Sequence, residues 1–436
     1  MSIQKIKLRL NADPKKVIIQ FLRMNEKRTK KILKRIISLP GEEIVNKLTE
    51  VYDQFSVRHK DFAALVLENY KLVEKYLPRK SKLYEETKHL IGAYFSKEYS
   101  IESAALFNPS MVAHPDQTDI ESGELKFVMS LRATGEGHIS SIEFREGVIS
   151  SNGDVRLIND SPYRLLPKKT KYPYKELKEK KNLKSNTDDY KKKDLISSNY
   201  RCRFDDDSII SERVLSPVSR AESKGLEDAR FVKFDDENDS KYFATYTAYN
   251  GKSLRTQIIE TTDFKNFELG TLHGKMVNDK GMALFPRKIN GKYFMTSRQD
   301  GENLYMMESD NIYKWNKSKL ILKPRRMWEL MQLGNCGSPI ETDEGWLLLT
   351  HAVGPVRKYV ISAILLDLEN PYKVIGVLNE PLLEPDETER EGYVPHVVYS
   401  CGSIIHNNYL VIPYAMSDSA CGFAKIELDK LLQKFS

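Results

Sequence analysis

The 436-residue sequence predicts a mainly β chain of five repeated units, propeller blades or the turns of a solenoid, behind an N-terminal α-helical domain. Three observations predict it. First, one phrase recurs five times: a hydrophobic stretch, a tight polar turn, then an aromatic-led strand, as in GELKFVMSLRATG, DSKYFATYTAYNG, NGKYFMTSRQDG, DEGWLLLTHAVG and HNNYLVIPYAMSD. Second, from about residue 100 onward β-branched and aromatic residues alternate with NG, DG, EG and NN turns, which are strand and hairpin signals. Third, the stretch before it carries apolar residues at helical spacing.

Within the N-terminal stretch, Asp13-Pro14 reads as an N-cap followed by proline at the first helical position. Helical spacing then runs through Val17, Ile18, Phe21, Leu22, Ile32, Leu33, Ile36 and Ile37. Pro40-Gly41 breaks it, IVNKLTEVYDQF resumes it, and a further segment from Asp61 stops at Pro78, which predicts three or four helices. The basic residues Lys27, Arg28, Lys30, Lys31, Lys34 and Arg35 lack interleaved aromatics, so they read as a solvated face or a subunit contact and not as a nucleic-acid surface. A homo-oligomer joined through this domain is the expectation.

In the repeats, the lead aromatics are Phe127, Tyr242, Tyr293, Trp346 and Tyr409, and the last four stand about 50 to 65 residues apart. The longer first gap holds a lysine-rich insertion, about 167–195, too poor in apolar residues to fold alone and expected as an exposed loop or irregular helix. Five residues past each aromatic stand Arg132, Thr247, Arg298, His351 and Tyr414. Strand side chains alternate with period two, so equivalent positions face one way and these groups are expected to converge on a common site.

The totals set bounds. The formal charge of +7 is modest, and Cys202, Cys336, Cys401 and Cys421 are too scattered for a metal clip or a disulfide framework, so buried reduced thiols are expected. No stretch reaches membrane-spanning length and the N-terminus has no apolar signal core, which predicts a cytoplasmic protein without membrane contact. The histidines are isolated, with no paired-ligand spacing, so neither a metal nor another cofactor is expected.

GLEDARFVKF carries the densest polar cluster. Glu227 and Asp228 are adjacent, so in a regular strand they would face opposite ways, and only one could line a pocket unless the backbone bulges. Arg230 is placed to keep Asp228 ionised or to orient it. On these residues alone a salt bridge in a turn and strand accounts for the cluster as well as catalysis does.

GLEDARF resembles the Glu-Asp-Pro-Arg signature of glycoside hydrolase family 130, the mannoside phosphorylases and β-mannosidases, with Ala229 in place of proline. FNPSMV, SLRATGEGHISSIEFR, LFPRKINGKYFM, GSPIETDEGWLLLTHAVG, EREGYVPHVVYSCG and PYAMSD follow the family's order from about residue 95 to the end. The helical domain read from the spacing, 1–95, lies outside the usual family core, and the resemblance implies a five-bladed β-propeller over 96–436. It implies Asp228 as the general acid, acting through the mannose 3-hydroxyl, and Asn108, Arg132 and Asp418 as groups that hold the mannose ring. Glu227, Tyr249 and Asn250 are further substrate-contact candidates beside the signature, and Tyr249 and Trp328 are candidate sugar platforms.

The second substrate divides the family. A phosphorylase needs cations for phosphate, and a hydrolase needs a carboxylate to activate water opposite the acid. WELMQLG puts neutral Gln332 where phosphorylases of the family usually have lysine, while Lys288, Arg298 and His351 keep an incomplete basic set. Glu302 and Glu341 resemble the glutamates that replace the phosphate clamp in the hydrolases; Glu389 and Glu391 are weaker candidates. The expectation is therefore an inverting exo-β-mannosidase using water on β-1,2-linked manno-oligosaccharides. A β-1,2-mannoside phosphorylase is the alternative, and a non-catalytic carbohydrate-binding propeller is a third account.

Overall fold

The computed structural model describes residues 3–78, 82–181, 196–236 and 239–435. The chain is mainly β and divides into two compact units: one takes the stretch up to Ala12, Ser103–Asp160 and the chain from Leu166 onward, the other Asp13–Glu102 with Ser161–Leu165.

In the smaller unit, four helices follow one another: α1 (Glu26–Ile37), α2 (Gly41–Phe55), α3 (Phe62–Val73) and α4 (Glu85–Tyr94). Asn25 caps α1 by accepting from the Arg28 N–H at 2.9 Å, and Glu26 and Lys34/Arg35 complement the helix dipole at its two ends. Leu33, Ile36, Tyr70, Val73, Leu90, Ile91 and Phe95 form the core, and the basic residues of α1 lie on its exposed face. Gly92 lets α4 approach α3, since a Cβ there would fall onto the Val66 carbonyl. One expectation fails: Val17–Phe21 is a strand paired with Ser96–Ser100 and not the start of a helix. A short run of β-branched residues fits either period, and a partner nearly eighty residues on decides the matter. No described helix is long and apolar enough to cross a membrane.

In the larger unit, each lead aromatic opens the second strand of an antiparallel meander. Those strands are Leu125–Thr134, Asp239–Tyr249, Tyr293–Ser297, Gly345–Val353 and Tyr409–Met416. The first two meanders share an 11-stranded sheet, joined by the single parallel pair Ser140 and Gly225. The last is completed by Gln4–Asn11, which pairs antiparallel with Ala420–Glu427, so the chain's first strand belongs to the β unit and not to the helical one. Phe127, Tyr242 and Trp346 are buried core residues, while Tyr293 and Tyr409 are half-buried. All four cysteines are buried thiols, none of them in a disulfide. Part of the lysine-rich insertion is regular: Lys168–Lys171 is an exposed edge strand on Tyr200–Arg203, and α5 (Tyr174–Lys180) ends with Lys180 paired to Glu260 and Glu268. Lysines suit an edge strand because they disfavour pairing with a further chain. Residues 182–195 of the insertion lie outside the described residues.

Candidate active site

The Asp228 strand does bulge. Its pairing with Asp239–Tyr249 runs Glu227 to Thr247 and then Arg230 to Thr245, so Asp228 and Ala229 together oppose Tyr246. Asp228 sits there with φ 54°, the left-handed region. The turn of the backbone puts both acidic side chains on one guanidinium: Arg132 Nη2 meets Glu227 at 2.8 Å and Nη1 meets Asp228 Oδ1 at 3.2 Å. The same device recurs at Asn108. Its strand pairs Phe107 with Arg132 and Ser110 with Ser130, and Asn108 has φ 50°. Asn108 Nδ2 donates to Asp228 Oδ1 at 2.6 Å, while its buried Oδ1 has no partner among the described residues. An unpartnered acceptor beside a carboxylate and a guanidinium suits a ring of sugar hydroxyls.

Asn108, Arg132 and Asp228, but not Glu227, line a cavity of about 300 Å³ together with Arg230, Lys280, Arg298, Gln332, His351, Arg357, Tyr359, Tyr399 and Asp418. Five cationic side chains, Arg132, Arg230, Lys280, Arg298 and Arg357, face two lining carboxylates, Asp228 and Asp418. Arg230 is committed to the protein: it donates to Asn335 Oδ1, the Asp228 carbonyl and Tyr399 Oη at 3.2, 2.8 and 2.7 Å. Burial opposes the charge of Asp228, but Arg132, Lys280 (3.9 Å from Oδ2), Arg230 and the Asn108 amide outweigh it and hold this carboxyl well below the usual range. Burial, with the neighbouring Asp228 charge, pushes Glu227 up. The same two causes push Asp418 up to about 6.

Burial, then the Arg298 charge, keeps His351 neutral. Its Nδ1 lies 3.0 Å from the Asn335 carbonyl, so that nitrogen carries the proton and Nε2 accepts from Arg298 at 3.3 Å. With its amide oxygen turned toward the same guanidinium, Gln332 accepts from Arg298 Nε at 3.2 Å. Arg298 is thus aimed by two neutral groups, with Asp279 at 3.6 Å. Gln332 positions a cation where the sequence reading saw only a missing one.

Of the residues singled out from sequence, the cavity brings together Asn108, Arg132, Asp228, Arg298, Gln332, His351 and Asp418. It does not bring the two base candidates. Glu341 is held in a two-pronged pair by Arg287, with both side chains about two-fifths exposed, and it pairs with Trp346, at the end of Gly345–Val353 away from His351. Glu302 is exposed in a turn, and its contribution beside the cavity is a carbonyl that accepts from Leu333 N–H at 2.8 Å. Lys288 pairs with Asp236, Asn250 closes its own turn onto Lys252 and Ser253, and neither Tyr249 nor Trp328 is a lining residue. Of the five residues that follow the lead aromatics, Arg132, Arg298 and His351 reach the cavity, Thr247 is buried in its strand, and Tyr414 bonds Glu389. Lys280, Arg357, Tyr359, Asn335 and Tyr399 escaped the sequence reading. Lys280 and Arg357 sit in turns, where basic residues are ordinary and no period marks them.

The family model of glycoside hydrolase family 130, described as beta-1,4-mannooligosaccharide phosphorylase, matches residues 205–435. A 1,2-beta-oligomannan phosphorylase from Thermoanaerobacter sp. is 36% identical over 223 residues, which are 50% of this chain and 74% of that one. A beta-1,2-mannobiose phosphorylase from the same organism is 34% identical over 255 residues, covering 56% of this chain and 82% of its own. Among solved structures, a glycosyl hydrolase from Bacteroides ovatus superposes with a TM-score of 0.53 at 19% identity, over 76% of this chain and 87% of that one, a likeness of fold.

Proposed function

Since this chain belongs to glycoside hydrolase family 130, and is thus an enzyme of a glycoside-active family, we propose that it is an inverting phosphorylase of β-1,2-linked manno-oligosaccharides built on a five-bladed β-propeller. Five meanders, each led by an aromatic residue at the equivalent position, with the last completed by the N-terminal strand, support the propeller. Phosphate replaces water in this reading for one reason above others. The cavity carries more cationic than acidic side chains, and among the described residues that line it the carboxylates are Asp228 and Asp418. Both neighbour Arg132, so neither is left to activate water on the opposite side. The two relatives named as β-1,2-mannan and β-1,2-mannobiose phosphorylases support the same choice and the linkage.

In this mechanism Asn108, Arg132 and Asp418 hold the terminal mannose. Lys280, Arg298 and Arg357 receive phosphate, with Arg298 aimed by His351 and Gln332. A phosphate oxygen bonds to the anomeric carbon as the glycosidic C–O bond breaks from the other face. The departing oxygen takes a proton supplied by Asp228, relayed through the mannose 3-hydroxyl as the family resemblance implies. Inversion leaves α-mannose 1-phosphate and an oligosaccharide one residue shorter. The electrostatics couple the two substrates. In the empty cavity the cations keep Asp228 deprotonated, so it cannot act as an acid; a bound phosphate offsets part of that field and lets the carboxyl take up its proton.

Incubation with β-1,2-mannobiose, with and without phosphate, tests the reading. Mannose 1-phosphate formation that depends on phosphate is the expected result. Mannose release at an unchanged rate without phosphate would return the assignment to the hydrolase. No turnover, with mannose still bound, would favour the carbohydrate-binding module.

A further inference from the structure

Asp418 lies in the hairpin turn between Tyr409–Met416 and Ala420–Glu427, and Ser417 and Asp418 are both left-handed, with φ 48° and 51°. The turn is closed by Ser419 N donating to Met416 O at 3.0 Å, but two successive non-glycine residues in that region carry a strain that calls for support from outside as well. The support comes from the segment 386–397. Val397 O accepts from Ser417 N at 2.7 Å, Glu389 O accepts from Ser417 Oγ at 2.6 Å, and Val394 N donates to Ser417 O at 3.1 Å. Tyr393 N donates to Ser419 Oγ at 2.9 Å. At its far end the segment is tied to the neighbouring sheet, where Tyr359 N donates to the His396 carbonyl at 2.9 Å, and at its near end it has an anchor of its own.

That anchor is Glu389, whose side chain is 5% exposed. Tyr414 Oη donates to Oε1 at 2.5 Å; Asp386 N (3.2 Å) and Lys5 Nζ (2.5 Å) donate to Oε2. Lys5 also reaches Asp386 Oδ2 at 2.8 Å and the Glu384 carbonyl at 3.3 Å, closing the segment from one end. Lys5 stands on the strand Gln4–Asn11 that completes the last sheet, held by its pairing with Ala424.

We propose that Lys5 and Glu389 are positioning residues: from behind the cavity wall, the N-terminal strand fixes the segment that fixes the Asp418 turn. Glu389 is thereby an anchor and not a base, and the first strand of the chain has a part in binding the sugar. The proposal rests on the reading that Asp418 holds the mannosyl unit.

Lys5→Met, Lys5→Arg, Glu389→Gln and Asp418→Asn would be compared in phosphorolysis of β-1,2-mannobiose at saturating phosphate, with mannose binding followed by calorimetry in parallel. Lys5→Met is expected to raise KM for mannobiose and weaken mannose binding by about tenfold, the factor of one lost charge-assisted hydrogen bond, with kcat changed by less than about twofold. Lys5→Arg should restore most of it. In an Asp418→Asn background Lys5→Met should add almost nothing, because both act on one contact. A purely structural lysine would lower the melting temperature and leave KM in place. The proposal is overturned if Asp418→Asn raises KM while Lys5→Met does not, or if the two losses add. If Asp418→Asn leaves mannose binding intact, the reading of Asp418 fails first and the proposal with it. Should Glu389→Gln not fold, the lysine variants decide alone, since Lys5 is partly exposed.

Discussion

Replacing Lys280 by methionine removes one charge from the cavity and keeps most of the side chain's volume. Its Nζ lies 3.9 Å from Asp228 Oδ2. Two unit charges at that distance interact by about 4 kcal/mol at an effective dielectric constant of about 20. The Lys280 side chain is 36% exposed, so solvent screening reduces this to about 1–2 kcal/mol, or about one unit of Asp228 pKa. The sign follows from the charge: without the ammonium the carboxyl binds its proton more tightly, so the alkaline limb of kcat, measured with both substrates saturating, moves up in pH by about one unit. Phosphate loses a charge-assisted contact, and its KM should rise by about 10- to 100-fold. The assay is the initial rate of mannose 1-phosphate formation with phosphate varied at fixed mannobiose, repeated across pH. An unchanged phosphate KM with a raised mannobiose KM would refute the placement of phosphate. An alkaline limb displaced downward would refute the electrostatic account of Asp228.

Three further outcomes follow from the same geometry. Asp228→Asn should lower kcat by about 10²- to 10⁴-fold, the usual worth of a general acid, while calorimetry shows mannose binding retained within roughly tenfold. Glu302→Gln and Glu341→Gln should each leave kcat/KM within about twofold, and the lost Arg287–Glu341 pair should cost about 0–1 kcal/mol in a denaturation curve; loss of activity in either would revive the hydrolase. Asp418, raised to about 6 by burial and then by the charge of Asp228, loses its charge as pH falls through that value, so KM for the mannoside should climb below pH 6 and stay flat above it. A KM that is constant from pH 7 to pH 5 would count against Asp418 as a charged sugar ligand. In stability the sign is opposite: the folded chain holds this proton between the ordinary carboxylate range and about 6, so this group's contribution falls as pH rises through that window.

What could be read in the sequence was local. The five meanders were legible because each places an aromatic directly after a polar turn, and strand periodicity survives in single copies. Arg132, Arg298 and His351 were legible for the same reason, being equivalent positions on equivalent strands. Asp228 could be singled out, but whether Glu227 faced the same way depended on a bulge, which is a property of pairing and not of composition. Lys280 and Arg357 lie in turns whose course is set by contacts distant in sequence, and nothing in their neighbours separates them from surface lysines and arginines. Glu341 shows the converse error. Its place near a repeated strand suggested the cavity, yet it stands at the strand's far end, where Arg287 rather than a substrate takes its charge.

The cavity residues share a backbone feature that bears on how they should be altered. Asn108, Asp228 and Asp418 all occupy the left-handed region, with φ of 50°, 54° and 51°. At a bulge or tight turn that conformation swings the side chain out of the strand's alternation, which lets Glu227 and Asp228 reach the same arginine. Asparagine and aspartate tolerate it better than other residues with a side chain, so the residue types that the chemistry requires are also those that the backbone admits. A change to alanine at any of the three would therefore alter conformation together with chemistry, at a cost of about 1–3 kcal/mol in local strain. The exchange of aspartate for asparagine keeps both the shape and the backbone preference. Asp228→Asn and Asp418→Asn consequently report on charge and proton alone, and a loss of activity in the alanine variants without one in the asparagine variants would mean that the turn matters and the carboxylate does not.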